Sequence, residues 1–129
     1  VSPQMKVISY QRSQEEIYQR NRIEEELKLM GFKINTRANG YLVDAIHYTA
    51  FEIRRMDFEM KEVYAAVAKK NKTKDVNVEK SIRDNIERTW MKTAPEQLEF
   101  YYPYQISKES GTPTNMEFIK NMTRKMQNV

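Results

Sequence analysis

Apolar residues recur along the chain at helical spacing and almost nowhere at the alternation of a strand. After a stretch without sustained periodicity, residues 1–13, Ser13 can cap a helix with Glu15 and Glu16 favourable in its first turn. Ile17, Ile23, Leu27 and Met30 then mark an inward face, and Gly31 suits the C-terminal stop. A second helix is predicted from about Asn39 to Met56, with Leu42, Ala45, Ile46, Thr49, Ala50 and Ile53 on one stripe. A third, short helix runs from about Met60 to Lys70 and buries Val63, Tyr64 and Val67. The polar segment Asn71-Lys72-Thr73-Lys74 leads into a fourth, Asp75 to Met91, with Val78, Ile82, Ile86 and Trp90 inward. Pro95 to Tyr104 reads as a short helix plus an aromatic turn. Thr114-x-x-Glu117 after Pro113 is a capping box, and Phe118, Ile119, Met122 and Met126 follow as the buried face of a last helix. The expected fold is all-α, a compact bundle of five or six helices. It divides into a tail or linker over residues 1–13 and a helical domain over 14–129.

Composition sharpens this picture mainly by exclusion. With 129 residues, 40% of them hydrophobic, the chain can build one modest core. Three Gly and four Pro exclude collagen-like, low-complexity and turn-rich all-β chains. The absence of cysteine excludes disulfides, thiolate zinc sites and a cysteine nucleophile, and suits a reducing cytoplasm. No apolar run approaches the roughly 18 residues that span a bilayer, and residues 1–13 lack the apolar core of a signal peptide. No membrane partner is expected.

The 22 basic and 18 acidic side chains leave a net charge of +4, and its placement says more than its size. Residues 1–53 and 93–129 are each neutral overall, so residues 54–92 hold the whole excess. Within 69–83, Lys69, Lys70, Lys72, Lys74, Lys80 and Arg83 stand against Asp75 and Glu79 alone. A protein that neutralises phosphates needs its cations on one surface, because the counterion-release gain is counted per phosphate contacted. Lysine-rich helix ends also serve plain solubility, so charge by itself leaves both readings open.

A short helix, a polar connection and a longer amphipathic helix with local positive charge have the layout of a helix-turn-helix, about residues 60–91. The major groove admits one helix, and base edges need side chains that donate and accept in pairs. Asn77, Glu79, Lys80 and Arg83 sit in the first turns of the fourth helix, where base readers belong. Lys69, Lys70, Lys72, Thr73, Lys74 and Lys92 stand at its ends, where phosphate contacts position such a helix. The connection is longer than the usual tight turn and has no glycine, so an ordinary antiparallel helix pair with a lysine-rich loop fits the spacing as well.

Three ordered blocks are more specific. They are Gly40-Tyr41-Leu42 with Ala45-Ile46, then Ala68-Lys69-Lys70, Thr73, Val78-Glu79, Ile82-Arg83, Ile86-Glu87 and Trp90, and last Pro113-Thr114-Asn115 with Glu117-Phe118-Ile119. Over roughly residues 24–127 the chain resembles the C-terminal effector-domain family of stage zero sporulation protein A, a sporulation response regulator. The resemblance implies a six-helix domain whose fourth helix enters the major groove of double-stranded DNA at repeated sites. Glu79 and Arg83 match groove-facing positions of the family motif. Asn77 and Lys80 stand where the family usually has Arg, Asp84 where it has His, and Val76 where it has a small polar residue. Exchanging Arg for Asn weakens bidentate guanine readout and favours adenine, so a changed site sequence is expected. Nothing in the chain resembles the family's receiver. Either an excised domain or a stand-alone relative is therefore expected.

Other chemistry has little support. His47 is the only histidine, with no second His, Cys or paired carboxylate near it in sequence, and it reads as a packed or surface residue. Successive residues of Glu24-Glu25-Glu26 point different ways on a helix, so no metal cage follows. No phosphate loop, catalytic triad order or HExxH motif is present. No cofactor, catalytic residue or metal ligand is expected, and the chain does not read as an enzyme. The aromatic run Phe100-Tyr101-Tyr102-Pro103-Tyr104 reads as core plus interface. Two functions remain: a sequence-specific regulator of transcription in the cytoplasm, or a protein-interaction module or antagonist that keeps the fold without reading DNA. Expected partners are duplex DNA, a second copy on tandem sites, and RNA polymerase or a related regulator.

Overall fold

Val78, Ile82 and Ile86 repeat every four residues and are completely buried, so the helix that carries them has one face fully committed to the core. In the computed structural model, which describes residues 2–128, that helix is α4 (Asp75–Lys92). The others are α1 (Pro3–Met30), α2 (Arg37–His47), α3 (Met60–Lys70), α5 (Pro95–Tyr101) and α6 (Asn115–Gln127), and a π-helical segment, Tyr48–Ile53, continues α2. No strand occurs among the described residues. The architecture is the all-α bundle expected. α2 and α3 pack on α4, α6 closes the core over α2 and the π segment, and α1 and α5 lie along one side.

Two elements differ from the periodicity. Residues 3–13, expected as an irregular tail, are the first turns of α1. Ser2 caps the helix by accepting from the Met5 N–H, and Pro3 takes the first position, where its missing donor costs nothing. Ser13 is not a cap; its hydroxyl donates to the Ser9 carbonyl within the helix. These turns bury no apolar face, so they carry no periodicity to detect. Ile17, expected inward, is half exposed, and the buried face begins at Ile23. At the other end Gly31 adopts φ +104°, and the Thr93 hydroxyl lies 2.5 Å from where a Cβ would stand. Both the left-handed backbone and the close approach require glycine.

The second difference is the helix expected from Asn39 to Met56. It starts two residues earlier, at Arg37, with Thr36 accepting from the Asn39 N–H. It then widens into the π segment and ends at Arg54 with φ +55°. Thr49, fully buried, donates back to the carbonyls of Ala45 and Ile46 and shares a 2.6 Å hydrogen bond with Thr123 of α6. A side chain bonding back into the ladder at the α6 contact accompanies the local widening.

An aromatic cluster fills the end of the core where α4, α5 and α6 meet. Tyr102 is stacked on Phe118 with centroids 5.3 Å apart and meets Trp90 edge-on at 5.2 Å. Its hydroxyl accepts from Asn121, and burial pushes the phenol up to about 12. Tyr102 is core, Tyr101 and Tyr104 pack against it, and Phe100 points to solvent.

Asp44 on α2 is buried, and its carboxylate accepts from Arg20 of α1, from Lys70 Nζ at 2.9 Å and from Asn71 Nδ2 at 2.9 Å. Burial alone would raise its pKa. The hydrogen bonds from Asn71, Lys70 and Arg20 and the guanidinium charge outweigh burial and hold the group below its ordinary 3.8. A depressed folded-state pKa gives stability that is complete above the unfolded value and is lost as pH falls through the folded one. This group's contribution to the denaturation midpoint should therefore be flat above about pH 5 and decline as pH drops through and below 3.8. Asp44→Asn should lower stability at neutral pH by about 1–3 kcal/mol and remove this component of the acid decline. Urea titrations across that range measure both.

Candidate nucleic-acid interface

The helix-turn-helix comprises α3, the connection Asn71–Lys74 and α4. The end of α3 explains how a turn without glycine is made. The Thr73 N–H donates to the Ala68 carbonyl at 3.0 Å and the Lys72 N–H to the Lys69 carbonyl at 3.4 Å, the paired bonds of a Schellman closure. Lys72 occupies the left-handed position with φ +54°. Asn71 Nδ2 donates both to the Val67 carbonyl and to Asp44, so the same turn is anchored to α2. On the far side Asn115, at the start of α6, donates from one amide nitrogen to the Glu79 carbonyl at 3.1 Å and the Tyr64 hydroxyl at 3.0 Å. That amide holds the first turns of α4 against α3.

The core claims Val78, Ile82, Asn85, Ile86 and Thr89 of α4. Helical geometry then turns Val76, Lys80, Arg83 and Glu87 away from the core, with Asn77 and Asp84 beside them. Asn77, Lys80 and Arg83 are exposed. Arg83 Nη1 donates to Glu79 Oε1 at 3.3 Å across one helical turn, both side chains nearly half exposed. Glu79 lies on the flank, between this outer face and α3. Asn77 donates to the Thr73 hydroxyl at 3.1 Å, so Thr73 supports Asn77 and is itself only partly accessible.

The cations expected to flank the helix separate into two groups. Lys69, Lys72, Lys74, Lys80 and Lys92 are exposed and make no ion pair among the described residues. Lys70 is different: its ammonium is held by Asp44, and its charge serves the fold. Lys69, Lys72 and Lys74 cluster at the turn, whereas Lys92 ends α4, about 25 Å along the axis from Asp75.

Two residues join this surface that the sequence did not announce. Arg37 and Tyr41, at the start of α2, line a shallow open cleft with Thr73, Asn77, Lys80, Ser81 and Asp84. Arg37 is some 40 positions before α4 in the chain, and only the Thr36 cap signal could have placed it on a helix end. His47 also gains neighbours that its sequence context lacks. Its Nδ1 lies 3.2 Å from Glu52 and its Nε2 2.9 Å from Gln19, with Glu16 close by on α1. These contacts tie α1 to the π segment, far in sequence from the helix-turn-helix.

Lys72→Gly should raise stability by about 0.5–1 kcal/mol, because relief of the left-handed strain exceeds the added unfolded-state entropy. A higher urea midpoint with an unchanged m-value is the expected reading.

The family model described as Sporulation initiation factor Spo0A C terminal matches residues 23–126. That span runs from the first buried residue of α1 to the last buried residue of α6.

Proposed function

The chain belongs to the Spo0A C-terminal family of DNA-binding transcription-regulator domains, and from that premise we propose that it reads a specific duplex sequence with the first half of α4 in the major groove. The observation that carries this reading is the surface itself: exposed Asn77, Lys80 and Arg83 on an outward helix face, flanked by lysines that make no ion pair among the described residues. Lys69, Lys72 and Lys74 at the turn and Lys92 at the far end are placed to meet phosphates. Lys80 and Arg83 suit guanine, Asn77 suits adenine, and Glu79 can accept from cytosine. Val76, 67% exposed at the tip of the face, offers an apolar contact for a thymine methyl group. Arg37, beside Lys80 in the cleft, adds a cation from outside the helix-turn-helix. The residues that depart from the family's usual types cluster on this face, so the preferred site differs from the family's usual one. Such a domain acts where chromosomal DNA lies, in the cytoplasm.

Selection of bound duplexes from a random pool tests the reading directly. The expected result is one enriched sequence, with affinity that falls steeply as salt rises. Failure to bind any duplex, together with a stable complex with another regulator, would establish the protein-interaction alternative. Arg83→Ala should relax specificity at one base pair at a cost of about 1–3 kcal/mol. Lys72→Gly, which keeps the turn, should weaken all sequences alike and reduce the salt slope by about one. Equal effects of the two substitutions on specificity, measured by anisotropy on matched and mismatched duplexes, would overturn the division of roles.

A further inference from the structure

Two surfaces have no partner among the described residues, and their chemistry is complementary. The first is the N-terminal arm of α1. Residues 2–18 are exposed throughout, among them Met5, Val7, Ile8, Tyr10, Ile17 and Tyr18. Between Ser2 and Ser13 the arm carries Lys6 and Arg12 and no carboxylate. Met5, Ile8 and Arg12 share one face at helical spacing. The second is a cleft of about 740 Å³ between the end of α4, α5 and the segment leading to α6. Trp90, Leu98, Tyr102 and Ile106 form its apolar floor, and Glu87 and Glu99 stand among its lining residues. Both carboxylates are exposed and neither makes an ion pair among the described residues.

We propose that the α1 arm of one copy docks in the α4–α5 cleft of a second copy, Met5 and Ile8 on the apolar floor and Lys6 and Arg12 against Glu87 and Glu99. The arm cannot fill its own cleft. α5 is fastened beside the C-terminal end of α1, where Gln97 donates to the Leu29 carbonyl at 2.9 Å. Arg12 lies 17 residues up the same unbroken helix, about 25 Å away. The contact is therefore between chains and joins different surfaces. A heterologous contact of this kind adds copies head to tail and does not close a pair. An arm of a few turns in a cleft of this size makes a small interface, so the association is weak in free solution and gains from any template that aligns neighbours. The arm lies outside the span the family model matches, and the inference does not depend on which DNA sequence is read.

Sedimentation equilibrium without DNA, at low and high salt, tests the contact with three proteins: an arm reversal (Lys6→Glu with Arg12→Glu), a groove reversal (Glu87→Lys with Glu99→Lys), and the four substitutions together. The unsubstituted chain should self-associate in a salt-sensitive way. Each reversal should weaken association at least tenfold, and the four-substitution protein should regain it. Mixing the two reversals should also restore association, since each supplies what the other's complementary surface needs. All the substituted positions are exposed, and circular dichroism confirms that each variant is folded. An unsubstituted chain that stays monomeric at the highest concentration would overturn the proposal. So would loss of association on arm reversal but not on groove reversal, which would identify pairing of arm with arm.

Discussion

Arg20, Lys70 and Asn71 approach one carboxylate from different parts of the molecule, and the placement of the helix-turn-helix depends on that meeting. Asp44 is nearly inaccessible, so an uncompensated charge there would be costly, and the fold that supplies its donors is favoured over any that does not. The donors fix α1, the last turn of α3 and the start of the connection relative to α2. From the opposite side Asn115 fixes the first turns of α4 to α3. Hydrophobic packing alone tolerates sliding of helices along their grooves. Directional bonds at the turn and at the first turns of α4 do not, so they fix the register of α4 against α2 and α3.

This anchoring changes the charge distribution of the surface. The excess of cations between residues 69 and 83 suggests six equivalent phosphate binders or base readers. The structure divides them by electrostatic environment. Lys70, half exposed, already pairs with the buried carboxylate of Asp44. Lys69, Lys72, Lys74 and Lys80 face water, and binding a phosphate would cost them only their hydration and counterions. A linear count of charge cannot make this division, because Asp44 lies 26 positions before Lys70.

What was legible in the chain follows the same logic. α3 begins and ends where the apolar spacing put it, α4 extends one residue further, and the Thr114 capping box is present as both of its hydrogen bonds. Each is a signal written within four residues. The first turns of α1 were illegible because they bury nothing, and periodicity reports only buried faces. The π segment was illegible because it is accompanied by Thr123 on α6, a contact with no local trace. The exposure of Asn77, Lys80 and Arg83 was readable from their register on α4. The position of Arg37 beside α4 and the pairing of Lys70 with Asp44 both required the tertiary fold.

The Arg83–Glu79 pair shows how this surface can remain ordered before it meets a ligand and still be free to bind one. Both side chains are nearly half exposed, and they lie one turn apart on the same helix. Such a pair contributes only about 0.3–0.5 kcal/mol, whereas a bidentate contact of arginine with guanine discriminates by about 1–3 kcal/mol. The pair therefore restrains both groups in the free protein only weakly, and a base contact of the proposed kind would outweigh it. Under the proposed reading, its parting would free Arg83 for guanine and Glu79 for cytosine, one turn apart on α4. The Glu79 backbone stays pinned by Asn115 throughout, so only side chains need to move.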